Sequence, residues 1–120
     1  MLLIFISLLL SAGTPDAGTL DQLTLSGLYE TSSGEYVGLQ FNADGSGSYK
    51  LESDTFTFSS YSLTGNGSLY NLDFTIQGIN VYGVVKEISS NQIGFFSYTD
   101  QSLRNAHTTS DEFITLTKQQ

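Results

Sequence analysis

Beyond its first thirteen residues the chain is dominated by alternation with a period of two. In "LYNLDFTIQ", Tyr70, Leu72, Phe74 and Ile76 fall on one side and Asn71, Asp73, Thr75 and Gln77 on the other, the pattern of a strand that buries one face. "YVGLQFN" likewise sets Val37, Leu39 and Phe41 against Tyr36, Gln40 and Asn42, and "SGSYKLES" sets Tyr49 and Leu51 against Lys50 and Glu52. "DTFTFSS" places Phe56 and Phe58 opposite Thr55, Thr57 and Ser59, and "EFITLTK" places Ile114 and Leu116 opposite Thr115 and Thr117. "GLYET" reads as the first strand. "GINVYGVVKEI" and "QIGFFSYT" are almost entirely apolar, which predicts strands in the middle of the sheet or covered on both faces.

Turn signals separate these segments: "SSGE", "ADGSG" and "SLTGNGS". Asp44-Gly45 is a strong hairpin signal, because aspartate favours the turn and glycine accepts the positive φ that the connection demands. No helix of ordinary length is predicted; "TLDQLTLSG" offers either one helical turn, with Thr19 as N-cap and Leu20 and Leu23 on one side, or the start of a strand. Seven or eight strands joined by short turns define an all-β chain, with a small antiparallel up-and-down β-barrel as the economical topology and a β-sandwich as the alternative. Closure removes exposed sheet edges, and Gly38, Gly83 and Gly94 inside strands permit the bulges and bends of a small barrel.

With 120 residues the chain fits one domain. Twelve acidic against four basic residues give a net charge of -8, which repels nucleic-acid phosphates and anionic membrane surfaces, so nucleic-acid binding is excluded. The absence of cysteine removes disulfides and thiolate metal sites. The apolar run from Leu2 to Leu10, followed by small residues, has the layout of a secretory signal over 1–13 and falls short of the roughly 20 residues a membrane span needs. A linker at 14–22 and a β-barrel domain at 23–120 complete this division, in a soluble, monomeric, secreted or periplasmic product. A buried N-terminal strand is the other reading of the apolar run.

The stretch "FNADGSGSYK" superficially resembles ion- and phosphate-binding loops. Aligning Gly45 with the invariant glycine of a calcium-binding EF-hand puts Gln40 and Leu51 where carboxylates are required. A dinucleotide-type glycine motif starting at Gly45 meets Lys50 where its third glycine belongs, and no helix pattern follows. The sole histidine, His107, lies in the polar stretch "SLRNAHTTSDE" and reads as solvated, with no nucleophile signature nearby. Asp111 and Glu112 are adjacent and point to opposite faces if extended, while Glu30, Glu52 and Asp73 read as solvated charges on outer faces. No catalytic residue, metal ligand set or cofactor is indicated.

Gly27-Leu28-Tyr29, "YVGLQFN", "ADGSGSY" and "FITLTK" together resemble the lipocalin-like small barrels of the calycin group, especially their compact bacterial secreted members. Lipocalins carry G-x-W on the first strand, and this chain keeps the glycine with a tyrosine in place of the tryptophan. The resemblance implies that Tyr29 closes one barrel end beneath a basic side chain, Lys118 or Arg104. It also implies a binding module for a small apolar or aromatic molecule, lined by Leu39, Phe41, Tyr49, Leu51, Phe56, Phe58, Tyr70, Leu72 and Phe74. The same residues otherwise fill a solid barrel, the reading favoured by how much apolar surface a domain of this size needs merely to fold. In that case the chain reads as a protein-interaction or inhibitor domain acting through its loops, notably residues 99–112. An enzyme is the third class.

Overall fold

The computed structural model describes residues 23–32 and 34–119. The expected leader at 1–13 and linker at 14–22 lie outside the described residues.

Nine strands are present among the described residues: β1 (Gly27–Glu30), β2 (Val37–Phe41), β3 (Gly47–Leu51), β4 (Asp54–Phe58), β5 (Tyr61–Asn66), β6 (Leu69–Ile76), β7 (Ile79–Ser89), β8 (Gln92–Tyr98) and β9 (Ile114–Lys118). They form one sheet in the order β4-β3-β2-β1-β9-β8-β7-β6-β5, with every neighbouring pair antiparallel. The sheet curls into a nearly closed up-and-down barrel, so the barrel holds and the sandwich does not.

The expected seven or eight strands become nine because "SLTGNGS", read as a turn, contains most of β5. Tyr61 and Leu63 alternate with Ser62 and Thr64 there, and only Gly67 and Ser68 turn the chain between Asn66 and Leu69. An unbroken antiparallel order from β4 round to β5 requires those two strands to run in the same direction. They follow one another across Ser59-Ser60 without a reversal, so the chain leaves its ladder with β3 and joins a new one with β6. Aromatic packing bridges this break: Phe58 lies 4.6 Å from Phe74 and 6.1 Å from Tyr61, and Tyr61 lies 5.1 Å from Phe41, centroid to centroid.

Register confirms the alternation. Tyr29 faces Leu39, Leu39 faces Tyr49, Tyr49 faces Phe56, and Leu72 stands opposite both Leu63 and Gly83. Leu39, Leu72, Leu116 and Val85 are completely removed from solvent, and Phe95 nearly so. Burying such side chains contributes roughly 1.5–3 kcal/mol each. The hairpin at 42–46 closes through Asn42 N–H to Ser46 O (2.8 Å) and Gly45 N–H to Asn42 O (3.1 Å), with Gly45 at φ 92°. This is a type I turn followed by a left-handed residue, as Asp44-Gly45 foretold.

Gly83 and Gly94 do not mark bulges; the register shift falls between Glu87 and Ser89. Gly94 instead makes room for the Phe113 side chain, whose Cβ would stand 3.0 Å from any added methyl. That contact belongs to a second layer outside the barrel. The polar stretch after β8 folds into a short helix, α1 (Gln101–Asn105), which the sequence pattern did not predict. Asp100 caps it, accepting from Ser102 N–H at 2.9 Å and Ser102 Oγ at 2.7 Å. Val84, on the outer face of β7, is 1% exposed, so β7 is covered on both faces as its apolar sequence requires.

Candidate functional site

The antiparallel order sends the β1–β2, β3–β4 and β6–β7 connections and the start of the 99–113 segment to one end of the barrel. The β2–β3, β5–β6 and β7–β8 turns and Lys118 lie at the other. The Lys118 end is closed. Lys118 Nζ sits 6.0 Å from the centre of the Tyr29 ring and donates to Ser26 Oγ at 3.1 Å, while Leu25 is buried in the core. Of the two basic side chains considered for this position, Lys118 occupies it. Burial pushes the Tyr29 phenol above its ordinary pKa.

The opposite end holds a cleft of about 690 Å³. Its walls come from β3 (Tyr49, Leu51), β4 (Phe56), the β6–β7 hairpin (Ile76, Gln77, Ile79, Val81), the end of β8 (Ser97, Tyr98, Thr99) and α1 (Leu103). The strand pattern explains the geometry: Leu51, Ile76 and Ile79 are the inward residues that flank tight turns, with no further inward layer beyond them. Gln77 and Gly78 both have positive φ, 49° and 78°, the conformation of a type I′ two-residue hairpin. Gln77 thereby adopts a backbone conformation uncommon outside glycine at the rim of the cleft.

A gradient of exposure runs into the cleft. Ile79 and Leu103 are 53% and 54% exposed, whereas Tyr49 is 8% exposed. Tyr49 packs edge-on against Phe74 and Phe95, and its hydroxyl meets Ser97 Oγ at 3.2 Å. Apolar walls thus surround one hydroxyl pair, in a volume within the usual range for small-molecule pockets.

The nine side chains expected to line a ligand separate into groups. Tyr49, Leu51 and Phe56 line the cleft. Leu39, Phe41, Phe58, Tyr70 and Leu72 face inward but away from it; all five belong to the packed core. Phe74 also belongs to the core and touches a separate polar cleft of about 390 Å³ beside Ser59, Ser60, Asp73 and Asn80. The interior is therefore filled over much of its length and open at one mouth. Gln77, Ile79, Val81, Ser97, Tyr98, Thr99 and Leu103 were not anticipated. Ile79, Val81 and Ser97 belong to segments whose facing the pattern could not assign, and Leu103 lies on the unanticipated helix.

Two expectations about charged and polar residues are corrected. Asp73 does stand on the outer face, but it is not a freely solvated charge: it accepts from Arg104 Nη1 at 2.5 Å. The Arg104 side chain is 2% exposed, donates also to Gly83 O at 3.1 Å and lies over the Tyr82 ring. His107 is buried rather than solvated, because α1 folds it against Phe96, Tyr98 and Phe113. Its Nδ1 bonds the Tyr98 hydroxyl at 2.8 Å, while its buried Nε2 has no hydrogen-bond partner. Exposure of the intervening residues hid both anchors from a reading of composition.

Five further carboxylates, Glu30, Glu52, Asp44, Asp100 and Asp111, serve local structure. Glu30 accepts from the Tyr36 hydroxyl at 2.8 Å, and Glu52 from Tyr36 N–H at 2.9 Å. Burial, reinforced by Glu30, pushes the Tyr36 phenol up to about 12. Hydrogen bonds from Ser46, Ser102 and Thr108 hold Asp44, Asp100 and Asp111, respectively, below the usual aspartate range. Among the described residues no cluster of three or more metal-ligating side chains is present. No protein-family model matches the chain, and no curated protein or solved structure is significantly similar to it.

Proposed function

We propose that this chain is a non-enzymatic binding module that takes one small apolar or aromatic molecule at the open end of its barrel. The observation that carries this reading is the cleft of about 690 Å³, in which the exposed Ile79 and Leu103 stand above a part-buried hydroxyl pair. Large apolar side chains held open to water around a concave surface are the usual signature of a binding site. A lipocalin-like identity is part of the same proposal, supported by Lys118 packing over Tyr29 at the closed end.

Titration with the uncharged fluorophore N-phenyl-1-naphthylamine tests it. Saturable binding with blue-shifted emission is expected, weakened at least about tenfold by Ile79→Glu, since a carboxylate must then be desolvated beside the probe. Absence of saturable binding, or binding indifferent to both Ile79→Glu and Phe56→Ala, overturns the reading.

The exposed Leu103 favours one alternative, a protein-interaction or inhibitor domain acting through residues 99–112. That reading gains if a protein partner is captured through Leu103 while Phe56→Ala, deeper in the cleft, leaves capture unchanged.

A further inference from the structure

We infer that the cleft selects uncharged aromatic molecules bearing one hydrogen-bonding group, and discriminates against carboxylate amphiphiles of the same shape. This rests on the proposed binding role and specifies its ligand chemistry. Among the described residues that line the cleft there is no Lys, Arg, His, Asp or Glu: the polar side chains are Tyr49, Tyr98, Ser97, Thr99 and Gln77. An anion entering here finds no Lys, Arg or His to replace its lost water, and an unpaired buried charge is far more costly than an unpaired neutral dipole. The net charge of -8 adds a long-range field of the same sign. The chain's buried cation lies elsewhere, since Arg104 turns onto Asp73 and Gly83 on the outer face.

The hydroxyl pair supplies the positive half of the selection. Tyr49 and Ser97 are 3.2 Å apart, so one hydroxyl donates to the other and the pair retains one proton and free lone pairs for a third group. Phe74 and Phe95 hold the Tyr49 ring edge-on, which fixes the direction of its oxygen. A ligand hydroxyl reaching this depth completes the network, whereas a bare hydrocarbon gains only the walls.

Competition against bound N-phenyl-1-naphthylamine at neutral pH, with naphthalene, 2-naphthol and 2-naphthoate as competitors, separates these contributions. In the wild-type protein 2-naphthol should compete best, and 2-naphthoate at least about tenfold more weakly. Ser97→Ala and Tyr49→Phe should each weaken 2-naphthol by a larger factor than they weaken naphthalene, bringing the two competitors together. Leu103→Lys, at an exposed position on the rim, should recover 2-naphthoate binding. If 2-naphthoate competes as well as 2-naphthol while the probe binds normally, the inference is wrong and the binding role stands. If the probe does not bind, both fall.

Discussion

Arg104 and Asp73 are joined across 31 residues of sequence by a guanidinium–carboxylate contact that pins helix α1 to the outer face of the barrel. The two ends of this contact differ: the Arg104 side chain is 2% exposed and the Asp73 side chain 37%. Since α1 carries Leu103 to the rim of the cleft, an ion pair outside the barrel sets the shape of the site at its mouth.

That asymmetry gives the first prediction. Removing the carboxylate with Asp73→Ala strands a buried guanidinium and should destabilise the fold by about 3 kcal/mol, near the lower end for a broken buried pair. Arg104→Met leaves a carboxylate that water can reach and should lose less, about 1.5–2 kcal/mol, the lower end for hydrogen bonds to charged groups. Urea denaturation of both variants checks the order, and a larger loss for Arg104→Met would contradict it.

His107 provides a second test. Its ring packs 4.7 Å from Phe113 and 5.3 Å from Phe96, while its Nε2 is buried without a partner. His107→Phe keeps the ring, loses the Tyr98 bond and removes the orphaned atom, so its stability should stay within about 1 kcal/mol of wild type. His107→Ala opens a cavity beneath the helix and should lose about 2–4 kcal/mol. Equal losses in the two variants would mean that packing is not what holds His107.

Two glycines of one hairpin should respond for different reasons. Gly45 has φ 92° and open space around it, so Gly45→Val should destabilise by about 1–2 kcal/mol through backbone strain alone. Gly47 has an ordinary φ, but a Cβ there would collide with Gln40 O and meet the Phe58 ring at 2.6 Å. Gly47→Ala should therefore lose more, about 3 kcal/mol, as overpacking against backbone does. Calcium or phosphate should leave the melting temperature of the wild-type protein unchanged, because Ser46 already engages the Asp44 carboxylate and the N–H groups of Asn42, Gly45 and Ser46 are bonded within the turn.

The pKa shifts define stability changes at both ends of the pH scale. Asp44, Asp100 and Asp111 are held below 3.8 in the folded chain, so their contribution is present above that value and is lost as pH falls through their depressed folded values. Tyr36 is raised from 10.0 to about 12, so its contribution is present below 10 and disappears as pH rises towards 12. Urea midpoints should fall in both windows. Ser102→Ala should shrink the acid loss by removing the hydroxyl donor to Asp100 while the backbone donor stays, and Tyr36→Phe should shrink the alkaline one.

Much of the barrel was legible because one rule, alternation of apolar and polar residues, governs every strand with one wet face. Tyr70, Leu72 and Phe74 could be assigned inward from sequence alone, and their register bears this out. The rule failed where its premise fails. Tyr61 and Leu63 lie in a strand so rich in serine, threonine and glycine that turn chemistry outweighed the alternation. Ile79, Val81 and Ser97 belong to segments so apolar overall that their facing was left unassigned, although the exposed Asn80 between Ile79 and Val81 marks the outside, and these line the mouth. Arg104 and His107 were hidden because long-range partners, not neighbours in sequence, determine their burial.

Backbone amide NMR during a titration with 2-naphthol tests the binding role most directly, because it reports where the molecule sits as well as whether it binds. Saturable shifts should concentrate at Tyr49, Leu51, Phe56, the 76–81 hairpin and residues 97–103, with the closed end around Tyr29, Lys118 and the 42–46 turn unmoved. Absence of saturable shifts, or shifts centred on the Tyr29 and Lys118 end, would contradict it.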